Sequence, residues 1–163
     1  MKLIKLAFVS LLAFFLLATV ISLFIPGHLR ISKAVNIAAP KDSVYQRIAV
    51  LKEWPSWYPI LSESGETPSF IGSDSLQIKG TGIRITERTP DQILSTMRSE
   101  SGRSLESGWK LMHIGQQDSL TVQWYMDFKL GWYPWEKFSS LFYESLYGVQ
   151  MEKGLARLKE VSE

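Results

Sequence analysis

The chain has 163 residues, of which 45% are hydrophobic and 21% are charged, and its formal net charge is +2 at neutral pH. This composition is typical of a globular domain and excludes an intrinsically disordered chain. The sequence contains no cysteine, which excludes disulfide frameworks, cysteine-ligated metal sites, thiol catalysis and cysteine-linked lipid anchors.

The N-terminal segment from Leu6 to Ile25 runs for 20 residues without a charge, a proline or a glycine. A helix of about 20 apolar residues crosses the hydrocarbon core of a bilayer. A secretory signal has an apolar region of only about 7 to 15 residues that ends at a small-residue cleavage site, whereas this run leads into Pro26 and Gly27. We therefore expect residues 1–26 to be an uncleaved transmembrane anchor, with a cleaved signal or a buried soluble helix as alternatives.

The charges that flank this segment predict its orientation. Lys2 and Lys5 precede it, and Arg30 and Lys33 follow it, so the positive-inside rule favours a cytoplasmic N-terminus by a small margin. The remainder of the chain would then lie outside the cytoplasm. Without Lys2 and Lys5 the chain is formally neutral, because they account for the excess of 18 basic over 16 acidic residues. A neutral domain without a basic face is not expected to bind nucleic acid.

Alternating apolar residues predict a strand at the start of the domain, and a helical period predicts a short helix after it. The strand positions are Ile31, Val35 and Ile37, with the charged Lys33 as the exception. The helix positions are Val44, Ile48 and Leu51, and Pro40 stands where a helix begins. The prolines of Trp54-Pro55-Ser56-Trp57-Tyr58-Pro59 then predict a compact turn.

An antiparallel meander is predicted for the middle of the chain. The polar stretch 62–75 predicts a loop with at most one short strand. Turns are predicted at Gly80-Thr81-Gly82, Thr89-Pro90-Asp91, Glu100-Ser101-Gly102 and Gly115 to Ser119. The clearest strand is the last one, where six apolar residues occupy the even positions from Leu120 to Leu130.

A long helix from Pro134 to Val161 is predicted to cover the apolar face of that strand. Its apolar stripe consists of Phe138, Leu141, Phe142, Leu146, Val149, Leu155 and Leu158. Gly148 and Gly154 each weaken such a helix by up to about 1 kcal/mol relative to alanine. We therefore expect a bend or a close approach to the sheet at these glycines.

Three segments carry a resemblance to a known family. They are Val35-Asn36-Ile37-Ala38-Ala39-Pro40 with Val44-Tyr45, Trp54 with Trp57 and Pro59, and Gly154-Leu155-Ala156-Arg157-Leu158-Lys159. Together with the order of elements, they make residues 30–163 similar to the START-like (SRPBCC) superfamily, which includes the Bet v 1 allergens and the polyketide cyclase/dehydrase group. The resemblance implies an α+β helix-grip fold, in which a curved antiparallel sheet surrounds a long C-terminal helix and an apolar cavity lies between them. Because 62–75 is short and polar, we expect a cavity at or below about 300 Å³, the lower end of ligand sites.

Members of this superfamily bind lipids and other hydrophobic small molecules, and a minority are enzymes. The resemblance therefore implies that the domain binds a hydrophobic small molecule or lipid between sheet and helix. The candidate ligand-binding residues are Trp109, Leu111, His113, Val122, Trp124, Met126, Phe128, Phe138 and Phe142. The alternatives are a polyketide cyclase-like enzyme and a non-catalytic interaction module with a filled interior.

Few residues suggest catalysis or a cofactor. The chain has two histidines, too few for a histidine metal site, and His113 either faces the cavity or lies at its rim. The pair Gly80 and Gly82 lacks the third glycine of a dinucleotide site, and no serine stands in a nucleophile elbow. The carboxylates at strand ends are expected to be solvated, namely Glu87, Asp91, Glu100 and Glu106. We expect no cofactor and no metal.

Three further aromatic residues, Trp132, Tyr133 and Trp135, gather before the C-terminal helix. Aromatic rings with a polar atom are favoured at the membrane interface. They also pack at tight corners of soluble domains. Both interpretations are open for this segment.

Overall fold

The computed structural model describes residues 2–100, 102–113 and 119–163. The helices are α1 (Lys2–Ser22), α2 (Lys41–Ala49), a 3₁₀ helix (Leu51–Ser56), α3 (Pro59–Ser62), α4 (Pro134–Ser140), a π-helical segment (Glu144–Gly148) and α5 (Val149–Ser162). The strands are β1 (His28–Ile37), β2 (Ser69–Ile71), β3 (Ser75–Ile78), β4 (Thr81–Thr89), β5 (Gln92–Arg98), β6 (Ser104–His113) and β7 (Leu120–Lys129).

The seven strands form one antiparallel sheet in the order β1-β7-β6-β5-β4-β3-β2. The meander and the α+β helix-grip fold are thus confirmed. The turn predicted at Gly80-Thr81-Gly82 is formed instead by Lys79 and Gly80, because Thr81 and Gly82 already belong to β4. Both turn residues have positive φ angles, 46° and 68°, as a type I′ hairpin requires. The segment 62–75 contains one complete short strand, β2. Ser101 and residues 115–118 of the predicted turns lie outside the described residues.

The strand register aligns the inward side chains of the sheet in five rows. The first row contains Leu29, Phe128, Leu105, Met97 and Ile83, and the second contains Ile31, Met126, Ser107, Ser95 and Ile85. The third row contains Lys33, Trp124, Trp109 and Ile93. The fourth contains Val35, Val122 and Leu111, and the fifth contains Ile37 and Leu120. His113 is paired with Leu120 at the end of β6 but is exposed.

The tryptophan-rich turn after α2 is tied to that helix by two indole hydrogen bonds. Trp54 Nε1 donates to the Ile48 carbonyl at 2.8 Å, and Trp57 Nε1 donates to the Arg47 carbonyl at 3.1 Å. These bonds satisfy two buried donors and use carbonyls at the end of α2, which have no partner within the helix. Both rings are therefore held over the sheet.

The C-terminal helix differs from the prediction because it is interrupted. α4 ends at Ser140, a turn follows, and the π-helical segment leads into α5. The two glycines lie where the sequence predicted a bend or a close approach. Gly148 is at the junction, and Gly154 packs so closely that an added Cβ would lie 2.8 Å from the Trp124 ring and 2.9 Å from Pro59 Cδ.

The predicted apolar stripe is only partly buried, which corrects the expectation for four of its members. Leu155 and Leu158 are in the core, but Leu141, Phe142, Leu146 and Val149 are exposed. The reason is that this part of the helix has apolar residues on both sides, and Tyr143 and Tyr147 take the inward side.

Candidate functional site

Five aromatic rings fill the space above the third row of the sheet. This aromatic cluster consists of Trp54, Trp57, Tyr58, Trp109 and Trp124. Neighbouring ring centroids are 4.7 to 6.4 Å apart, the range of favourable aromatic pairs. All five residues are at most 1% exposed. A side chain that lined a void large enough for water would have accessible surface. These five side chains have almost none, so this part of the interior is solid.

Three of the four indole N–H groups in the aromatic cluster have hydrogen-bond acceptors. Trp124 Nε1 donates to Ser107 Oγ at 2.7 Å, whereas Trp109 Nε1 is buried without an acceptor in the described structure. Complete burial raises the pKa of Tyr58 well above its usual range, because ionisation there would lack solvation. The cluster has no group suited to proton transfer at neutral pH.

The first row of the sheet is less well covered. Leu29, Met97 and Leu105 are half-buried, and Phe128 is 9% exposed. Leu105 and Phe128 are the next residues beyond the Glu106–Asp127 pair of β6 and β7. We call these four residues, together with Tyr143 and Tyr147, the open end. Its surface is apolar and faces the same interior that the aromatic cluster fills further along the sheet.

The π-helical segment lies over the open end. The rings of Tyr143 and Tyr147 are 4.9 and 4.8 Å from the Phe128 ring, measured between centroids. Burial raises the pKa of Tyr147, and the positive charge of nearby Arg103 opposes that rise. A π-helical turn within an α-helix is frequent at functional sites. Here it carries Tyr147, with Tyr143 directly before it, against Phe128, and Arg103 lies near enough to Tyr147 to affect its ionisation.

Lys33 connects the interrupted helix to the sheet. Its Nζ forms ion pairs with Glu144 and Glu152, both at 2.8 Å. Hydrogen bonds to these two carboxylates raise the pKa of Lys33. An added Cβ at Gly148 would lie 3.0 Å from Lys33 Cε, so the backbone approaches β1 closely at this point. The lysine thus joins β1, the π-helical segment and α5.

The nine predicted ligand-binding residues separate into three groups. Those buried in the core are Trp109, Leu111, Val122, Trp124 and Met126. Phe128 belongs to the open end, and Phe138 is half-buried on α4. The other two lie outside the interior: Phe142 is 66% exposed on the outer side of the helix, and His113 is exposed at the end of β6.

Two tyrosines of the open end and the ion pairs of Lys33 did not follow from the sequence pattern. Tyr143 and Tyr147 are four residues apart, a spacing that places both on one side of a helix, but the stronger apolar stripe on the other side masked them. Lys33 was visible as the one charged residue on the inward face of its strand. Its acidic partners are more than 100 residues away in the chain, which local periodicity does not reveal.

α1 is 21 residues long, which corresponds to a length of about 32 Å. It is long and apolar enough to cross a membrane, and both a span and a signal sequence have these properties. Among the described residues, no group of three or more metal-ligating side chains is found.

A family model described as "Polyketide cyclase / dehydrase and lipid transport" matches residues 28–163. No curated protein matches the chain.

Among solved structures, a protein of Nitrosospira multiformis aligns with a TM-score of 0.60 at 18% identity, covering 83% of this chain and 97% of that one. A hypothetical protein of Helicobacter pylori aligns with a TM-score of 0.62 at 10% identity, covering 83% and 88%. CalU16 of Micromonospora echinospora aligns with a TM-score of 0.56 at 15% identity, covering 81% and 73%. At these identities the similarity shows the fold alone.

Proposed function

Since the chain belongs to the polyketide cyclase/dehydrase and lipid transport family, we propose that it is a membrane-tethered domain that binds a slender apolar molecule, such as a lipid acyl chain, at the open end. The observation that carries this proposal is that the inner face of the sheet is buried to different extents at its two ends. Leu29, Met97 and Leu105 keep exposed apolar surface, while the aromatic cluster leaves none. Apolar surface that faces inward and stays accessible is typical of small-molecule sites.

The filled interior limits the shape of the ligand. A bulky polycycle would have to displace the stacked pair Trp109 and Trp124, whose centroids are 5.5 Å apart. A single acyl chain would need to cover only the accessible apolar surface of Leu29, Met97 and Leu105. Arg103 near Tyr147 would suit a negatively charged head group at the opening.

Binding is favoured over catalysis by the side chains that face the interior. The described inward polar residues near the open end are Ser95, Ser107 and Lys33, and Lys33 is held by two carboxylates. General acid–base catalysis needs a group with a suitable pKa within hydrogen-bond reach of the substrate. His113 is exposed at the strand end, so we expect His113→Ala to leave function intact.

An interaction module with a filled interior is the second candidate, and the solid aromatic cluster favours it. It requires that the open end bind no small molecule. The two functions therefore differ in one observable, the presence of a co-purified ligand.

The membrane tether is proposed on the length and exposure of α1. The apolar side chains of this helix are exposed in the described structure, as expected for a segment that lipid surrounds. Lys2 and Lys5 favour a cytoplasmic N-terminus. Carbonate extraction of membranes, followed by N-terminal sequencing of the retained chain, tests the tether, and recovery of a soluble product that begins beyond Ile25 would refute it.

Native mass spectrometry of residues 27–163 purified from cells tests ligand binding. This segment carries its own core, because the buried cluster begins at Ile31 and includes no residue of α1. We expect a fraction with the added mass of a lipid. Leu105→Trp should reduce this fraction by filling the open end, whereas Ile71→Trp, on the exposed strand β2, should not.

A ligand-free mass for the unsubstituted domain would favour the interaction module. An equal loss of lipid in both tryptophan variants would place the ligand elsewhere. Thermal unfolding of each variant controls for a loss of folding.

A further inference from the structure

Large apolar side chains are exposed along one continuous stretch of chain, from the corner after β7 to the start of α5. They are Trp132, Tyr133, Trp135, Leu141, Phe142, Leu146 and Val149, and we call them the apolar face. Exposed apolar surface of this extent marks an interaction with a membrane or a protein. The three aromatic rings contact one another, with centroids 4.6 and 4.7 Å apart.

The charged residues of this stretch are all engaged elsewhere. Residues 131–149 contain three of them. Glu136 accepts a hydrogen bond from the Gly131 backbone N–H at 2.6 Å, Lys137 Nζ donates to the Ile25 carbonyl at 2.7 Å, and Glu144 pairs with Lys33. No free charge therefore opposes contact of the apolar face with an apolar environment.

The same stretch is attached to the end of α1. Lys137 reaches the Ile25 carbonyl, Ser22 is completely buried, and the Leu130 N–H donates to the Gly27 carbonyl at 2.9 Å. The N-terminal helix and the apolar face are thus held together by direct contacts, without a free linker between them.

We propose that the apolar face docks on the interfacial region of the same bilayer that α1 spans. This inference rests on the membrane tether proposed above. Tryptophan and tyrosine are favoured at the interface. Because the stretch has no free basic residue, apolar burial rather than attraction to anionic lipids would drive docking, so zwitterionic lipid is sufficient and salt has little effect.

Docking would also orient the proposed ligand site. Tyr143 and Tyr147 contact Phe128 on the inward side, while Phe142 and Leu146 lie on the outward side of the same helical turns. With the outward side on the bilayer, one layer of helical turns would separate the open end from lipid. The path of a lipid from the bilayer to the proposed site would then be short.

The absence of cysteine in the chain allows a direct test with single-cysteine variants. The full chain with Phe142→Cys or Leu146→Cys is labelled with an environment-sensitive dye and reconstituted in phosphatidylcholine nanodiscs. We expect a blue-shifted emission that lipids brominated in their acyl chains quench, at low and at high salt. The matched controls are Ile71→Cys and Met112→Cys, which replace exposed apolar residues of β2 and β6 and should show neither effect.

Intrinsic fluorescence provides a second measurement that needs no label. The other four tryptophans are buried in the aromatic cluster, so brominated lipid should quench mainly Trp132 and Trp135. The double variant Trp132→Phe/Trp135→Phe should lose most of this quenching and, because both positions are exposed, should still fold.

Other outcomes overturn the proposal. Blue-shifted but unquenched dye, together with cross-linking between copies through Leu146→Cys, would show that a second chain covers the apolar face. If the dye emission is not blue-shifted and carbonate does not extract the chain from membranes, docking is refuted but the tether is supported. A chain released by carbonate would refute both.

Discussion

The inner face of the sheet has two ends that are covered differently. Over the third row, stacked indole rings and α5 exclude solvent completely, and Gly154 allows the helix to approach the Trp124 ring. Over the first row, Tyr143 and the π-helical segment with Tyr147 leave apolar surface accessible. If the proposed function holds, stability and ligand binding depend on different residues of one continuous face. Substitutions at the two ends should therefore have separable effects.

The largest expected effect is at the filled end. Trp124→Ala should lower the free energy of unfolding by about 3–5 kcal/mol, because it leaves a cavity among packed rings and removes the partner of Ser107. Urea denaturation of residues 27–163 measures this loss. A loss below about 1 kcal/mol, typical of exposed positions, would contradict the solid interior.

Two glycines on the C-terminal helix provide a matched comparison. Gly154→Ala should destabilise by about 1–3 kcal/mol through overpacking, because its Cβ would meet the Trp124 ring and Pro59. For Gly148→Ala, the three atoms nearest to the new Cβ belong to the flexible side chains of Lys33 and Glu144. There the better helix propensity of alanine, worth about 1 kcal/mol, offsets the crowding. Thermal unfolding of both variants tests the difference, and an equal loss would contradict it.

At the open end the expected effect is smaller. Tyr147→Leu removes a ring contact with Phe128 worth about 0.5–1.5 kcal/mol and should speed hydrogen exchange in the π-helical segment. Exchange in β6 and β7 should change little. A uniform increase across the sheet would show that the two ends unfold together.

The smallest expected effect is on the outer surface behind the open end. Arg30 donates two hydrogen bonds of 2.7 Å to Asp127, and this pairing lowers the pKa of Asp127. Because the pair is partly exposed, Asp127→Asn should cost no more than about 1 kcal/mol. The stabilisation by this pair should be fully present above a pH of about 3.9, the pKa of aspartate in the unfolded chain. It should be lost as the pH falls through the lower pKa of Asp127 in the folded protein. Denaturation of both proteins between pH 2 and about 7 should therefore converge at acid pH.

The sequence predicted the sheet better than the helix, because alternation along a strand determines which face is buried, whereas the apolar pattern of this helix does not. From Leu120 to Phe128, the even positions alternate with mainly polar ones, so one face must be buried, and the structure buries all five. Around Tyr143 and Leu146 the helix is apolar on both sides, and periodicity does not indicate which side faces the sheet.

The candidate site was predictable only in part. The inward direction of Trp124 and Phe128 followed from alternation alone. Whether their surroundings are filled depends on Trp54 and Trp57, which come from a distant turn, and on the long-range pair of Lys33 with Glu144. Such contacts depend on tertiary packing, so exposure at the open end required the structure.

The connection between α1 and β1 is short, because only residues 23–27 separate them. Phe24 and Ile25 continue the hydrogen bonding of the helix end, and even fully extended these five residues would span only about 18 Å. With α1 in a bilayer, the domain is unable to travel to another membrane and so does not act as a diffusing shuttle. A ligand of the kind proposed would then have to come from that membrane or from a donor that approaches the domain there.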